Sequence, residues 1–170
     1  LLPLLVQMRA HGVRVDLEGA EKLKKEFLDR EKAALLKIKK AAGMDIDIWA
    51  ARSIAKAFDK LKISYPLTEK AKEPSFTQNW LTNCEEPIAG LIREAREVNK
   101  FHSTFIDSIF KFEHNGRIHA EINQLKGDAG GTVSGRLSYA HPNLQQIPAR
   151  NKDLGPRIRS LFLPDKNCRW

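Results

Sequence analysis

The first part of the chain carries apolar residues at helical spacing. After Asp16, a residue type that caps helices, an apolar stripe continues to Gly43, a residue type that ends them. A second helix is predicted from about Ile48 to Leu61, with Asp47 as its cap. The next stretch is rich in proline and charge and predicts an exposed loop, after which a short helix begins at Thr77.

The strongest helical pattern begins near Pro87, a residue type favoured in the first turn of a helix. One wide face of this helix is apolar and consists of Ile88, Leu91, Ile92, Ala95, Val98, Phe105, Ile106 and Ile109. The opposite face is polar and basic and consists of Arg93, Arg96, Lys100, His102, Ser103 and Thr104. The pattern predicts a long amphipathic helix with cations on its outer face.

The period changes from helix to strand after the turn signal Asn115-Gly116. Residues 117–122 alternate between polar and apolar and predict one half-buried strand, and residues 158–163 predict another that ends at Pro164. Clustered glycines and spaced prolines between these strands predict irregular chain. The apolar run from Leu1 to Val6 is expected to be buried core. The fold class is therefore α+β, with helices followed by antiparallel strands.

Composition supports a globular protein with a polyanionic partner. The 170 residues are 42% hydrophobic and 29% charged, and the net charge is +8. No apolar run approaches the roughly 18 residues that cross a bilayer, so we expect no membrane partner. A charge of this size favours nucleic acid as the partner, although a protein without such a partner can also be basic. Two cysteines outside any paired motif and five scattered histidines predict neither a disulfide framework nor a metal site.

The segment from Ser134 to Arg150 is crowded with long planar hydrogen-bonding groups. Glycines lie before it and within it, so the backbone can approach a partner closely. Its side chains suit contacts to phosphates and base edges, and they belong to Arg136, Asn143, Gln145, Gln146 and Arg150. From the residues alone, an ordinary polar loop with turn residues is the favoured interpretation.

The same segment closely resembles a signature of family A (DNA polymerase I-like) DNA polymerases, Thr-Gly-Arg-Leu-Ser-Ser-x-x-Pro-Asn-Leu-Gln-Asn-Ile-Pro. Ten of its thirteen specified positions are identical, and the exceptions are Ser134, Tyr139 and Gln146. Residues 94–105 resemble the family's thumb helix, which ends in Lys-x-x-Ser-Thr-Tyr. Residues 116–119 resemble the hairpin that opens the palm, so the resemblance extends over essentially the whole chain.

The resemblance implies a domain plan and a set of DNA contacts. Residues 1–16 would lead into the polymerase domain, residues 17–112 would form a helical thumb, and residues 113–170 would form the first part of the palm. Arg136 would reach the minor groove near the primer terminus, and Arg150 would lie near the incoming nucleotide and the template. The full set of implied DNA-binding residues is Arg96, Lys100, Ser103, Thr104, Arg136, Ser138, Asn143 and Gln145. Tyr139 departs from the signature and leaves the contact at its position in doubt.

The implied function is DNA-directed synthesis of DNA on a primer-template, with deoxynucleoside triphosphates (dNTP) and Mg²⁺. The family's catalytic carboxylates would follow Trp170, so we expect no catalytic residue and no metal ligand in this chain. We therefore expect the chain alone to be inactive, with the remaining palm and fingers in cis or on a second chain. The expected location is the cytoplasm of a bacterial or phage-infected cell, with an organelle as the alternative.

Two other functions remain to be weighed against this one. The chain could be a non-catalytic primer-template binding subunit of a split polymerase whose catalytic carboxylates lie on another chain. An RNA-binding domain is disfavoured, because the sequence has no aromatic-rich strand of the kind that stacks RNA bases.

Overall fold

The computed structural model describes residues 1–125, 127, 131–147 and 151–169. It confirms the α+β class, with helices and short antiparallel strands. Two elements depart from the expected order of helices followed by strands: residues 13–15 form a strand between the first two helices, and residues 154–159 form a helix before the last strand. The helices are α1 (Leu2–His11), α2 (Leu17–Ala42), α3 (Ala51–Lys60), α4 (Gln78–Asn83), α5 (Pro87–Lys100), a π-helical segment (Phe101–Ile106), α6 (Asp107–Phe112), a 3₁₀ turn (Leu144–Gln146) and α7 (Leu154–Arg159). The strands are β1 (Val13–Val15), β2 (Glu113–His114), β3 (Arg117–Ile118), β4 (Glu121–Asn123), β5 (Ser138–Ala140) and β6 (Phe162–Leu163).

The chain divides into two compact units. The first consists of Leu1–Lys25 and Phe101–Trp170, and the second of Glu26–Lys100. The borders between them fall within α2 and at the end of α5. The subdomain limits predicted at residues 17 and 112 lie elsewhere and stay a prediction.

Helix α2 begins and ends at the residues that the sequence indicates. The Asp16 carboxylate accepts a hydrogen bond from the Gly19 amide at 2.9 Å, which satisfies a free N–H of the first turn. Gly43 follows the last residue with φ of 64°, a conformation that favours glycine, and its amide donates to the Lys39 carbonyl at 2.9 Å. These local signals fixed both helix ends.

The second unit encloses an aromatic core. The Phe58 and Phe76 rings lie 5.2 Å apart, and the Phe76 and Trp80 rings lie 5.6 Å apart, both in edge-to-face geometry. Helix α4 begins where predicted, because the Thr77 hydroxyl accepts from the Trp80 amide. The predicted apolar face of α5 is buried against the same cluster through Ile88, Ile92 and Ala95.

The second predicted helix is shorter than expected. It begins at Ala51 rather than at Ile48, and Asp47 does not cap it. The Asp47 carboxylate instead accepts from the Trp49 amide at 2.8 Å, two residues on, and its own amide donates to the Ser53 hydroxyl. An aspartate can close such a turn as readily as it caps a helix, so the sequence signal was ambiguous.

The first unit contains two antiparallel sheets. The larger has the strand order β2-β3-β1-β6, with Val13 opposite Ile118 and Arg14 opposite Leu163. The smaller pairs β4 with β5. The single strand predicted over residues 117–122 is therefore wrong, because β3 and β4 belong to different sheets. Alternation continues through both strands, so the pattern alone does not reveal the break at His119, whose ring contacts the Arg9 carbonyl.

The strand predicted over residues 158–163 is also mostly wrong. The Asn151 carboxamide oxygen accepts from the amides of Asp153 and Leu154, and the helix α7 follows. Leu154, Ile158 and Leu161 are buried at spacings of four and three residues, which is a helical pattern. Only Phe162 and Leu163 form a strand.

The apolar run at the start of the chain is not the buried core that we expected. It forms α1, in which Leu5 is buried while Leu2, Leu4 and Val6 are exposed. A helix that is apolar on all sides can bury only the side that meets the rest of its unit. Within the described residues, every helix is too short or too polar to cross a membrane.

An ionic cluster around Asp165 ties the larger sheet together. Arg117 of β3 donates to the Asp165 carboxylate and, from a second nitrogen, to the His11 carbonyl. The His11 ring lies 2.6 Å from the same carboxylate, and Arg14 of β1 donates to the Pro164 carbonyl. The hydrogen bond from Arg117, followed by that from His11, lowers the pKa of Asp165 below its ordinary value.

We expect Phe58→Ala to lower the free energy of unfolding by about 3–5 kcal/mol, because it leaves a cavity at a fully buried ring. Urea denaturation followed by circular dichroism measures the change. Leu36→Ala, at an exposed position of α2, is the matched control and should change stability by less than about 0.5 kcal/mol. Equal effects of the two substitutions would contradict this description of the core.

We expect Asp165→Asn to remove part of the acid sensitivity of the fold. Folding lowers the pKa of this carboxyl, so the ionised group stabilises the folded state. This stabilisation is complete above the ordinary pKa of 3.8 and is lost as pH falls through the lower pKa of the folded state. The wild-type and variant curves of stability against pH should therefore converge below about pH 4 and separate above it. Asp45→Asn, at an exposed ion pair, should leave the curve unchanged. If the variant curve stays parallel to the wild-type curve down to pH 3, the ionised Asp165 carboxylate is not a source of the acid sensitivity.

Candidate nucleic-acid interface

A glycine-flanked turn carries Arg136. Gly131 and Gly135 have φ of 102° and 73°, which residues with a side chain rarely adopt. The Thr132 hydroxyl donates to the Arg136 carbonyl at 2.7 Å and closes the turn, while the Ser134 hydroxyl contacts Thr132 at 3.4 Å. The Arg136 side chain is exposed, and in the described part of the chain its guanidinium has no hydrogen bond or ion pair. The turn thus holds an unengaged cation on an ordered backbone.

Asn143 and Gln145 hold the neighbouring loop in place. The Asn143 carboxamide oxygen accepts from the Gln145 amide at 3.1 Å and caps the 3₁₀ turn. The Gln145 side-chain nitrogen donates to the Leu137 carbonyl at 3.0 Å, which ties this turn to the residue after Arg136. Among the described contacts, the Asn143 nitrogen and the Gln145 carboxamide oxygen remain without partners. One end of each amide is structural, and the other end is open to a ligand.

Ser138 lies at the start of β5, opposite Asn123 of β4, and is half-buried. Its backbone therefore belongs to the smaller sheet. The sheet fixes the chain immediately after Arg136, as the Thr132 bond fixes the chain immediately before it.

The long helix predicted from Pro87 changes its geometry at Phe101. Six residues there are π-helical, between α5 and α6. The wider turn buries both Phe101 and His102, so the prediction that His102 lies on the outer polar face is wrong. Ser103 and Thr104 are exposed in this segment, and Lys100 is exposed just before it. π-helical turns occur frequently at functional sites. The helical pattern from Pro87 predicts a continuous helix here and contains no signal for the wider turn.

Arg96 has a different environment from the other predicted contacts. Its guanidinium donates to the Ile48 carbonyl at 2.7 Å and to the Phe76 carbonyl at 2.8 Å. It also lies over the Trp49 ring, 5.6 Å from the centroid. Burial lowers the pKa of this guanidinium, opposed by the charge of Asp47. Arg96 therefore braces the second unit, and its predicted contact with a phosphate stays a prediction.

An apolar cavity of about 230 Å³ lies in the first unit, between the helical residues 104–112 and the loop that contains the 3₁₀ turn. Thr104 and Asn143, two of the predicted contacts, both line it. The structure thus brings these two residues to one region of the first unit. Arg96 and Lys100 belong to the second unit, and Arg150 lies outside the described residues.

The described residues contain no group of three or more histidine, cysteine, aspartate or glutamate side chains that could hold a metal ion. Three acidic side chains of the first unit, Asp107, Glu121 and Asp165, are paired with cations in the described residues. Glu121, for example, contacts Arg9 and His141, and the hydrogen bond from His141 is the main cause of its lowered pKa. The arrangement can therefore bind through exposed cations and amides.

Curated relatives match the chain over nearly its whole length. A DNA-directed DNA polymerase of Pseudomonas phage M6 is 34% identical over 180 residues, which cover all of this chain and 27% of the phage protein. The thermostable DNA polymerase I of Thermus filiformis is 34% identical over 171 residues, which cover 96% of this chain and 20% of that protein. The chain thus spans about a quarter of the length of such relatives.

The fold is similar to that of a solved polymerase domain. The structure described as the POL domain of Pol1 from M. smegmatis, in complex with DNA primer-template and dNTP, superposes with a TM-score of 0.79. It is 29% identical in sequence, and the match covers 93% of this chain and 28% of that one. The sequence also matches the profile of DNA polymerase family A over residues 17–170. The chain described here belongs to DNA polymerase family A.

Proposed function

We propose that this chain is the part of a DNA-directed DNA polymerase that grips the primer-template duplex during template-directed synthesis. The observation that carries the proposal is the exposed, unengaged Arg136 on its closed glycine turn. Family membership and a net charge of +8 support it. The M. smegmatis domain was solved with DNA primer-template and dNTP, the partners that we propose for the complete enzyme here.

The proposed role of Arg136 is a minor-groove contact. Every base pair presents a purine N3 or pyrimidine O2 acceptor in that groove, so an arginine donor can bind there whatever the sequence. A polymerase must hold any sequence, which makes such a contact more useful than readout in the major groove. Asn143 and Gln145 would add contacts through the amide ends that their loop leaves open.

The proposed role of Lys100, Ser103 and Thr104 is to contact phosphates. A lysine that neutralises a phosphate releases a condensed counterion, and this release supplies affinity without sequence preference. Hydroxyl groups donate to phosphate oxygens and position the backbone. Lys100 and Arg136 belong to different compact units, and their shared use by one duplex is part of the proposal.

The chemistry of the complete enzyme is proposed to depend on divalent metal, with Mg²⁺ as the ion. Such an ion lowers the barrier to phosphoryl transfer by stabilising the attacking and leaving oxygens. In this proposal the chain contributes the binding of DNA, and the remaining palm and fingers, in cis or on a second chain, supply the metal ligands. The relatives belong to phages and bacteria, so the proposed location is the cytoplasm of a bacterial or phage-infected cell.

The alternative, a non-catalytic subunit of a split polymerase, differs in where the catalytic carboxylates are encoded. A primer-extension assay on the chain alone, and after mixing with a candidate second chain, separates the two arrangements. Incorporation of nucleotides by the 170-residue chain alone would contradict both.

We expect Arg136→Ala to weaken binding to a DNA primer-template about tenfold, the size of one good base-edge contact. Fluorescence anisotropy over a series of salt concentrations measures it. Lys100→Ala should reduce the slope of log affinity against log salt by about one, because one phosphate contact is lost. Arg52→Ala, which removes the same charge at an exposed position, is the control. If Arg52→Ala weakens binding as much as Arg136→Ala, the basic charge acts without a specific contact.

We expect Arg96→Lys to lower the free energy of unfolding by about 1–3 kcal/mol while leaving the salt slope of DNA binding unchanged. Lysine keeps the charge, but its single nitrogen cannot reproduce the two-carbonyl geometry of the guanidinium. Arg52→Lys is the matched control and should leave stability unchanged. If Arg96→Lys unfolds like the wild type and binds DNA more weakly, Arg96 acts mainly on the DNA.

A further inference from the structure

Val133 lies at the tip of the turn that carries Arg136. Its side chain is 85% exposed, more than any other large apolar side chain in the described part of the chain. It lies between Gly131 and Gly135, the two glycines of this turn that have positive φ. The folded chain thus places an apolar side chain in solvent three residues before the cation that we assign to the minor groove.

A valine is an unexpected residue at this position. Turns favour glycine, proline, asparagine, aspartate and serine, while β-branched residues favour strands. The turn does not need the valine side chain, because the hydroxyls of Thr132 and Ser134 make the bonds that hold it. Burial within the unit does not account for the residue either. A contact with a binding partner would explain why an apolar side chain is exposed here.

We propose that Val133 packs against deoxyribose in the minor groove of the duplex, beside the contact made by Arg136. This inference rests on the proposed function. Proteins that bind the minor groove frequently carry apolar side chains into it. Deoxyribose presents C–H groups in this groove, which a short valine side chain can contact without entering between base pairs. The contact is independent of sequence, because every nucleotide presents the same sugar. Val133 is then a further positioning residue for the duplex.

The turn is built to present the two side chains together. The bond from the Thr132 hydroxyl to the Arg136 carbonyl spans the residues between them and includes Val133. The glycines on either side allow the backbone to approach a partner without a clash from a β-carbon, and no atom lies within 4 Å of the place where a β-carbon of Gly135 would be. A cation for base-edge acceptors and an apolar surface for sugars thus occupy a single tip.

The test compares Val133→Ala with Val6→Ala, the same chemical change at another exposed valine of the first unit. Each variant of the 170-residue chain is titrated with a DNA primer-template over a salt series, and circular dichroism verifies the fold. We expect Val133→Ala to bind more weakly by up to about fifteenfold, the size of two methyl groups lost from a fully buried apolar contact. Because no charge changes, its salt slope should equal that of the wild type. Val6→Ala should bind within about twofold of the wild type.

Three results would overturn the inference. The first is binding by Val133→Ala within twofold of the wild type, and the second is an equal loss in Val6→Ala. The third is an altered salt slope in Val133→Ala, which would show that the valine acts through the nearby charge. If the wild type binds no duplex at any salt concentration, the proposed function fails together with this contact. If the wild type binds the duplex and Val133→Ala binds it equally well, the proposed function stands and only the proposed contact of Val133 is refuted.

Discussion

The placement of positive charge is the constraint on which this structure depends. A net charge of +8 on 170 residues opposes a compact state through self-repulsion. Several arginines nevertheless stabilise the fold by donating to backbone carbonyls: Arg96 joins α5 to the carbonyls of Ile48 and Phe76, and Arg117 joins β3 to the end of α1. Arg117 also pairs with Asp165. These cations stabilise the fold, whereas Arg136 and Lys100 remain exposed. The same residue types thus stabilise the fold where they are part-buried, and where they are exposed they are the cations that we propose for binding DNA.

The elements that sequence reasoning located well are those whose signals are local. Asp16, Gly43 and Thr77 act on the backbone within three or four residues, so the helix ends they define follow from the sequence. The errors arise where a distant partner decides. The alternation over residues 117–122 is compatible with one strand or two, and only pairing with β1 and β5 separates them. The apolar residues 154, 158 and 161 have helical spacing, and the turn held by the Asn151 carboxamide oxygen leads directly into the helix.

The candidate site shows the same division. The motif predicts a set of DNA contacts around Arg136, and the glycines predict a close approach of the backbone. It does not reveal that Asn143 and Gln145 each use one side-chain hydrogen bond to hold the loop itself. It also places Arg96 on an outer polar face, because helical spacing cannot show two carbonyls that come from residues 48 and 76. A side chain on the polar side of a helix is exposed only if no loop covers it.

The internal bonds of the loop bear directly on affinity. A loop that becomes ordered only on binding loses conformational freedom at that moment, and this cost is subtracted from the contacts that it makes. The Thr132 and Gln145 bonds fix the backbone on both sides of Arg136 in the unbound chain. A duplex of any sequence would then meet a preformed surface, and contacts of modest individual strength would suffice to hold it. Because a polymerase must also move along the duplex, a surface of several weak contacts that ignore sequence suits the proposed role better than one strong contact that reads it.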